Sequence, residues 1–365
     1  MTHQQPRFSS TKKSPFEATL RKRVNEYFKS RNISKHGDYR VWIKTVFMFA
    51  LWFVPYFLLI SGEVTSGLGV WAAYAVMGVA MAGIGLTVMH DACHGSFSSN
   101  KTVNQIMGYS LNLLGGTAFN WIVQHNVLHH TYTNVSGVDE DISHGPVLRL
   151  APDQEHRFMH RFQVYYAWFL YGLMTISWTT MKDFVRLERY KKMELIEPLG
   201  RTYKGVLTEV ILSKIFYYSY VLVLPIIVID QPWYLIVGSY LTLHFIAGLI
   251  LGLIFQPAHV MESTDFPVPD ENNTLDNQRA IHQITTTTNF ATKSRFFSWY
   301  AGGLNFQIEH HLFPTISHIH YKKLSEIVKR TADEYGLPYY NQPTFAHAIF
   351  YHGRMLHKLG KPIKA

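Results

Sequence analysis

Long apolar runs alternate along the chain with polar stretches rich in cations and histidines. Four of the runs are long enough to cross a bilayer, which takes about 20 residues of helix. They cover about Val41–Ile60, Gly67–Met89, Ile211–Ile229 and Trp233–Phe255. Lys44 and Lys214 lie near the ends of the first and third, where a long side chain can snorkel to the interface. Pro225 predicts a kink in the third. The links within each pair, Ser61–Ser66 and Asp230–Pro232, contain no Lys or Arg. The remaining cations precede the first run, lie between 90 and 205, or follow 256. The positive-inside rule then puts both chain ends and the long middle segment in the cytosol. The pattern predicts an all-α, multi-pass integral membrane protein, its four transmembrane helices forming two hairpins above a cytosolic helical cap.

Two further apolar segments need a decision. Val103–Gly116 is too short to span. Phe162–Thr180 is long enough, but a crossing there would carry Lys182, Arg186, Arg189, Lys191 and Lys192 to the far side. It reads instead as an aromatic-rich helix lying in the interface. The expected organisation is a basic cytosolic arm over 1–40, a membrane domain over 41–345 and a basic tail over 346–365. Glu262–Asn277, polar with two prolines, reads as loop.

Composition agrees with a membrane protein. Charged residues make up 16% of the chain, against about 25% in soluble domains. The net charge is +9, but the cations sort by membrane side, so no nucleic-acid partner is expected. The arm has no long apolar core and is not a cleavable signal peptide. Cys93 is the sole cysteine. That excludes an internal disulfide, a cysteine-rich zinc site and a cysteine-ligated iron–sulfur cluster or haem.

The chain has 20 histidines, and many of them cluster. The second run ends in TVMHDACHGS, where His90 and His94 share a helix face. WIVQHNVLHHTYTN carries His125, His129 and His130, three histidines within six residues. GGLNFQIEHHLFPTI carries His310 and His311, with Gln307 on the same helical face as the pair. Gln307 reads as a weak metal ligand or as a hydrogen-bond partner of one. His259 follows the fourth run in LIFQPAHVME and lies on the same side. The predicted topology lets all three clusters meet just under the membrane with His259. Eight imidazoles are too many for one ion, so two metals are expected. The plainer alternatives are an interfacial helix end for the first pair and a solvated histidine patch for the second. His144, His156, His160, His282, His318 and His320 lie on the same side without such spacing. His244 lies inside the fourth span, about 22 Å along the helix from His259, and cannot reach the same site.

All-imidazole sites suit Zn, Cu, Fe or Ni. The chain has no His-Glu-x-x-His motif of a zinc protease and no Glu-x-x-His of a carboxylate-bridged di-iron bundle. A redox-inert zinc site would not need eight histidines, whereas two nitrogen-ligated irons would. A metal transporter would place ligands near the midplane, where only His244 lies.

HDACH, HNVLHH and QIEHH, in this order around two helical hairpins, resemble the three histidine boxes of the membrane fatty-acid desaturases. The resemblance covers roughly residues 40–340. It implies that His90, His94, His125, His129, His130, His310 and His311 bind two iron ions, with His259 as a further ligand. Gln307 at the head of the third box is similar to the front-end, delta-5/delta-6-like subgroup. Many members of that subgroup carry a fused cytochrome b5 domain with a His-Pro-Gly-Gly motif, which this sequence lacks. An external electron donor of ferredoxin or cytochrome b5 type is therefore expected. The implied activity is O2-dependent insertion of a cis double bond into a fatty acyl chain, carried on CoA or on a membrane lipid. Arg186, Arg189, Lys191 and Lys192 would hold an anionic head group or anchor the interfacial helix to anionic lipid. The same boxes would serve a lipid hydroxylase or ketolase.

Overall fold

The computed structural model describes residues 5–9, 14–143, 145–276 and 278–362. Lys12, Lys13 and His144 lie outside the described residues. The described chain is mostly helical, with two parallel two-residue strand pairs, Arg7–Phe8 with Thr274–Leu275 and Asn289–Phe290 with Asn341–Gln342. It divides into two compact units. The first gathers the N-terminal residues through Gly37, Gln124–Ala167 and the chain from Leu253 onward. The second holds Asp38–Val123 and Trp168–Gly252.

Among the described residues, four helices are long and apolar enough to cross a membrane: Tyr39–Ile60, Gly67–Cys93, Tyr203–Val228 and Trp233–His259. Each expected span is present, but three run further than the apolar pattern indicated. Thr202 caps the third by accepting from the Gly205 amide, so the helix starts ahead of the purely apolar stretch. The fourth continues through Gln256 and Pro257 and ends on His259. The second continues through His90 to Cys93. Large apolar side chains stay exposed on these helices, among them Phe57, Leu68, Phe216 and Ile227. Hydrocarbon, unlike water, is a suitable neighbour for such a surface.

Within the second unit, helices approach closely where side chains are absent. A Cβ on Gly78 would meet the Leu243 carbonyl oxygen at 2.5 Å, the close contact that small residues allow between spans. At Pro225 the sequence predicts a kink, and the structure has a π-helical turn at Ser219–Val223 just before it. Proline cannot donate to the carbonyl four residues back. That carbonyl belongs to Val221, and the Tyr74 hydroxyl from the second span donates to it at 2.8 Å. Lys214 is buried beside Asp183, 3.0 Å away, and also donates to the Trp178 and Gly115 carbonyls. Asp183 accepts from Thr117 and Asn120, so no charge in this hub is left bare. The stretch expected as an interfacial helix is helical over Gln163–Gly172 and Met174–Ser177 and is not among the four candidate spans.

The first unit has a conventional core. Its N-terminal helix, Pro15–Arg31, opens on a Ser14 cap with proline in the first turn and closes on Asn32 in the left-handed region. Phe16, Leu20, Val24 and Phe28 recur every four residues and form one buried stripe. The stripe packs on Ile308 and Phe313 around the third histidine box, and on Leu324 and Val328 of the helix Tyr321–Glu334.

Candidate metal centre

Three local conformations present the histidines. The second span passes through a π-helical turn, Gly85–Met89, before reaching His90. The second box forms an eight-residue π-helix, Ile122–His129. The third box is a short α-helix, Gln307–Leu312. The π-winding of the second box has a direct consequence. An α-helix advances about 100° per residue, which would turn His130 about 140° away from His125. Here the His130 amide donates to the His125 carbonyl five residues back, at 2.9 Å. The wider turn brings His125, His129 and His130 to one side, with ring centroids 4.7–5.7 Å apart. Such π segments recur at functional sites.

Within the first unit six imidazoles converge. Donor atoms of His129, His259 and His311 lie within 4.8 Å of one another, as do those of His130, His310 and His311. His130 Nε2 is 3.2 Å from His125 Nε2 and 2.9 Å from His310 Nε2. All six rings are buried.

Four of these rings have a partner at Nδ1. His129 Nδ1 donates to both oxygens of Asp139 at 3.1 Å. His311 Nδ1 donates to Gln283 Oε1 at 2.7 Å. His259 Nδ1 donates to the Thr286 carbonyl at 3.4 Å. His310 Nδ1 lies 3.1 Å from the Tyr321 hydroxyl. The Nε2 atoms of His129 and His259 are buried with no hydrogen-bond partner. An imidazole fixed through Nδ1 with a buried acceptor at Nε2 is the arrangement that metal-ligating histidines take. The residues present therefore fit a metal.

Residues 65–343 match the model of the fatty acid desaturase family. The chain belongs to the fatty acid desaturase family. It is 34% identical to the sn-1 linoleoyl-lipid 6-desaturase of Synechocystis sp., over 97% of this chain and 98% of that protein. It is 32% identical to the acyl-lipid (8-3)-desaturase of Physcomitrium patens, over 97% of this chain and 73% of the relative. A delta(5) fatty acid desaturase of Dictyostelium discoideum is 30% identical over 98% of this chain and 77% of its own length. The protein is thus a desaturase with a membrane domain and a histidine-rich cluster suited to a metal.

In this desaturase, His125, His129, His130, His259, His310 and His311 come together in the first unit. His90 and His94 form their own pair in the second unit, rings 4.7 Å apart and both against Trp121. Gln307 is buried at the start of its helix, and its Nε2 has no hydrogen-bond partner. His244 has both nitrogens engaged, by Thr175 and Tyr217. Among the described residues His156, His160, His282, His318 and His320 join no candidate metal group.

Several residues that position the histidines escaped the sequence reading. Asp139 is buried under His129, and its carboxylate also accepts the Asn134 amide. Asn134 sits in the left-handed region at φ 60° and donates to the His259 and Asp265 carbonyls. It thereby ties the exit of the second box to the end of the fourth span. Gln283 accepts from His311 and Thr133 and donates to the His130 carbonyl, linking two boxes through one side chain. Glu309, between Gln307 and His310, accepts from Asn289 and Tyr339 on the far side of the helix. Burial pushes Glu309 up to about 7 despite those two donors. The run Asp139–Glu140–Asp141, ten residues after His129, was the available signal: a ligating histidine needs an acceptor for its second nitrogen.

Proposed function

We propose that this desaturase is O2-dependent and introduces a cis double bond into an acyl chain of a membrane lipid at a centre of two iron ions. The observation that carries the metal reading is the pair His129 and His259, each held at Nδ1 and bare at a buried Nε2. The proposed ligands are His125, His129, His130, His259, His310 and His311, with Gln307 as a weaker ligand or a partner of one. His90 and His94 join the set on sequence alone, through their HDACH box. Both termini and the centre are assigned to the cytosolic side on the distribution of Lys and Arg.

The irons, when bound, supply the power to activate O2 against an unactivated C–H bond, which no side chain has. The chain's own residues do the rest. Asp139, Gln283 and the Thr286 carbonyl keep the Nδ1 protons in place, which leaves Nε2 of His129, His311 and His259 as the atoms that would hold the ions. Burial of the rings keeps water away. Presenting a single C–C bond requires the acyl chain to be held in one pose. The overall change is R–CH2–CH2–R′ with O2, two electrons and two protons giving R–CH=CH–R′ and two waters. Relatives named for acyl-lipid 6-, (8-3)- and delta(5)-desaturation support a lipid-borne substrate and a double bond toward the carboxyl end.

Expression in a host of defined lipid profile, with a working electron donor, tests the reading. A new double bond near the carboxyl end of lipid-bound chains is expected. Gain of one oxygen instead of loss of two hydrogens would favour the hydroxylase alternative, and an unchanged profile would remove the proposal.

A further inference from the structure

The reaction proposed above needs two electrons that neither the acyl chain nor O2 provides, and they must reach buried imidazoles from outside. A cleft in the first unit leads to one of them, His311. It has a volume of about 220 Å³ and lies between the N-terminal helix, the helix Arg279–Thr285 and the end of the third box. Its lining grades from exposed Arg21 and Arg279 to buried Gln283 and His311. Gln283 and His311 are the hydrogen-bonded pair at the edge of the metal cluster. The cleft therefore ends on a proposed iron ligand.

The N-terminal helix that lines the cleft is basic, and so is the helix packed against it. The N-terminal helix holds five cations against two carboxylates, and the helix Tyr321–Glu334 packed beside it holds four against three. At the rim Arg21 pairs with Glu17, and Arg23 pairs with Glu334, so the excess positive charge comes from Arg279 and the remaining cations of the two helices. Lys22, Lys29, Arg31, Lys322, Lys329 and Arg330 are exposed.

We infer that this cleft and its rim form the docking site of an acidic one-electron carrier protein. The inference rests on the desaturase reading. Complementary charge brings such a partner to the mouth and orients it, and the rate gain falls as salt screens it. Each docking oxidises one reduced carrier and passes one electron to the centre through the His311 edge. Two carriers are oxidised per double bond, two protons come from water, and the oxygen leaves as two waters.

The test uses the iron-loaded full chain in nanodiscs and two probes, a reduced [2Fe–2S] ferredoxin and the reduced soluble haem domain of cytochrome b5. Oxidation of each is followed by stopped flow, and association by binding to the metal-free chain as well. The double variant Arg21→Glu with Arg279→Glu is compared with Arg161→Glu plus Arg295→Glu, exposed cations elsewhere in the unit. The expected result is a loss of at least about tenfold in donor oxidation and in association at low salt for the first pair only. The gap should close at high salt, with iron content and reduction by dithionite unchanged. Equal rates for both pairs overturn the proposal, as does failure of the wild type to oxidise either probe while dithionite still reduces it. A loss seen only with anionic lipid in the nanodiscs assigns the cations to the membrane surface and also overturns it. Dithionite, O2 and lipid substrate separate the two readings. If no double bond forms there, the desaturase reading fails. If one forms while donor oxidation ignores the charge reversal, only the docking fails.

Discussion

Two regions bury histidine, and they treat it differently. In the second unit His244 lies within the fourth span. Thr175 Oγ1 donates to the His244 carbonyl at 2.8 Å and so accepts from its Nδ1 at 3.0 Å. Nε2 is left to accept from the Tyr217 hydroxyl at 2.9 Å. Every polar atom of that ring is used, which is how a histidine is kept as a structural bracket in an apolar bundle. In the first unit His129 and His259 are as deeply buried, but each uses only Nδ1. Leaving an acceptor unsatisfied in a protein interior costs about 1–3 kcal/mol, and here two such atoms come together. Where such bare nitrogens converge from several rings they mark a metal site, and a ring with both nitrogens engaged, as at His244, marks a strut.

Substitutions on the two sides should separate these roles. The largest effect is expected at His129. His129→Ala should lower desaturase activity by more than the roughly 100-fold that loss of an outer partner costs, and should reduce bound metal. Product analysis with metal assay checks both. Asp139→Asn keeps the shape but turns the acceptor for His129 Nδ1 into a mixed group. Metal affinity should drop about 10- to 100-fold while thermal unfolding moves little. His244→Phe should reverse the pattern. It strands the Tyr217 hydroxyl and should cost about 1–3 kcal/mol of stability with metal content intact. Equal metal loss in His244→Phe and His129→Ala would erase the distinction.

The smallest effect is a pH dependence outside the cluster. Burial holds His282 and His352 neutral in the folded chain, pushing each down to about 4. Unfolded, each binds a proton near pH 6.5. Between those values the unfolded chain carries more protons, so stability should fall as pH drops from 6.5 toward 4. His352→Gln should flatten part of that slope, read by thermal unfolding across pH.

Much of this was legible in the sequence. Hydropathy located all four spans, because lipid demands uninterrupted apolar length. The histidine boxes stood out because three imidazoles in six residues serve no packing purpose. The helix ends were less visible: hydropathy stops at Phe255, although the helix carries on through Gln256 and Pro257 to His259. The π-winding of the second box left no periodic trace, since eight residues are too few to fix a period. Asp139, Asn134 and Gln283 were invisible for another reason. They act through contacts between segments distant in sequence, such as Gln283 with His130 and His311, and a lone polar residue carries no spacing to reveal that.

The most direct measurement is an anaerobic Fe(II) titration of the metal-free full chain, read by metal analysis alongside His129→Ala and His244→Phe. The account predicts two irons per chain in the wild type and in His244→Phe, and fewer than two in His129→Ala. A wild type that retains no iron, or a His129→Ala chain that still holds two, would contradict it.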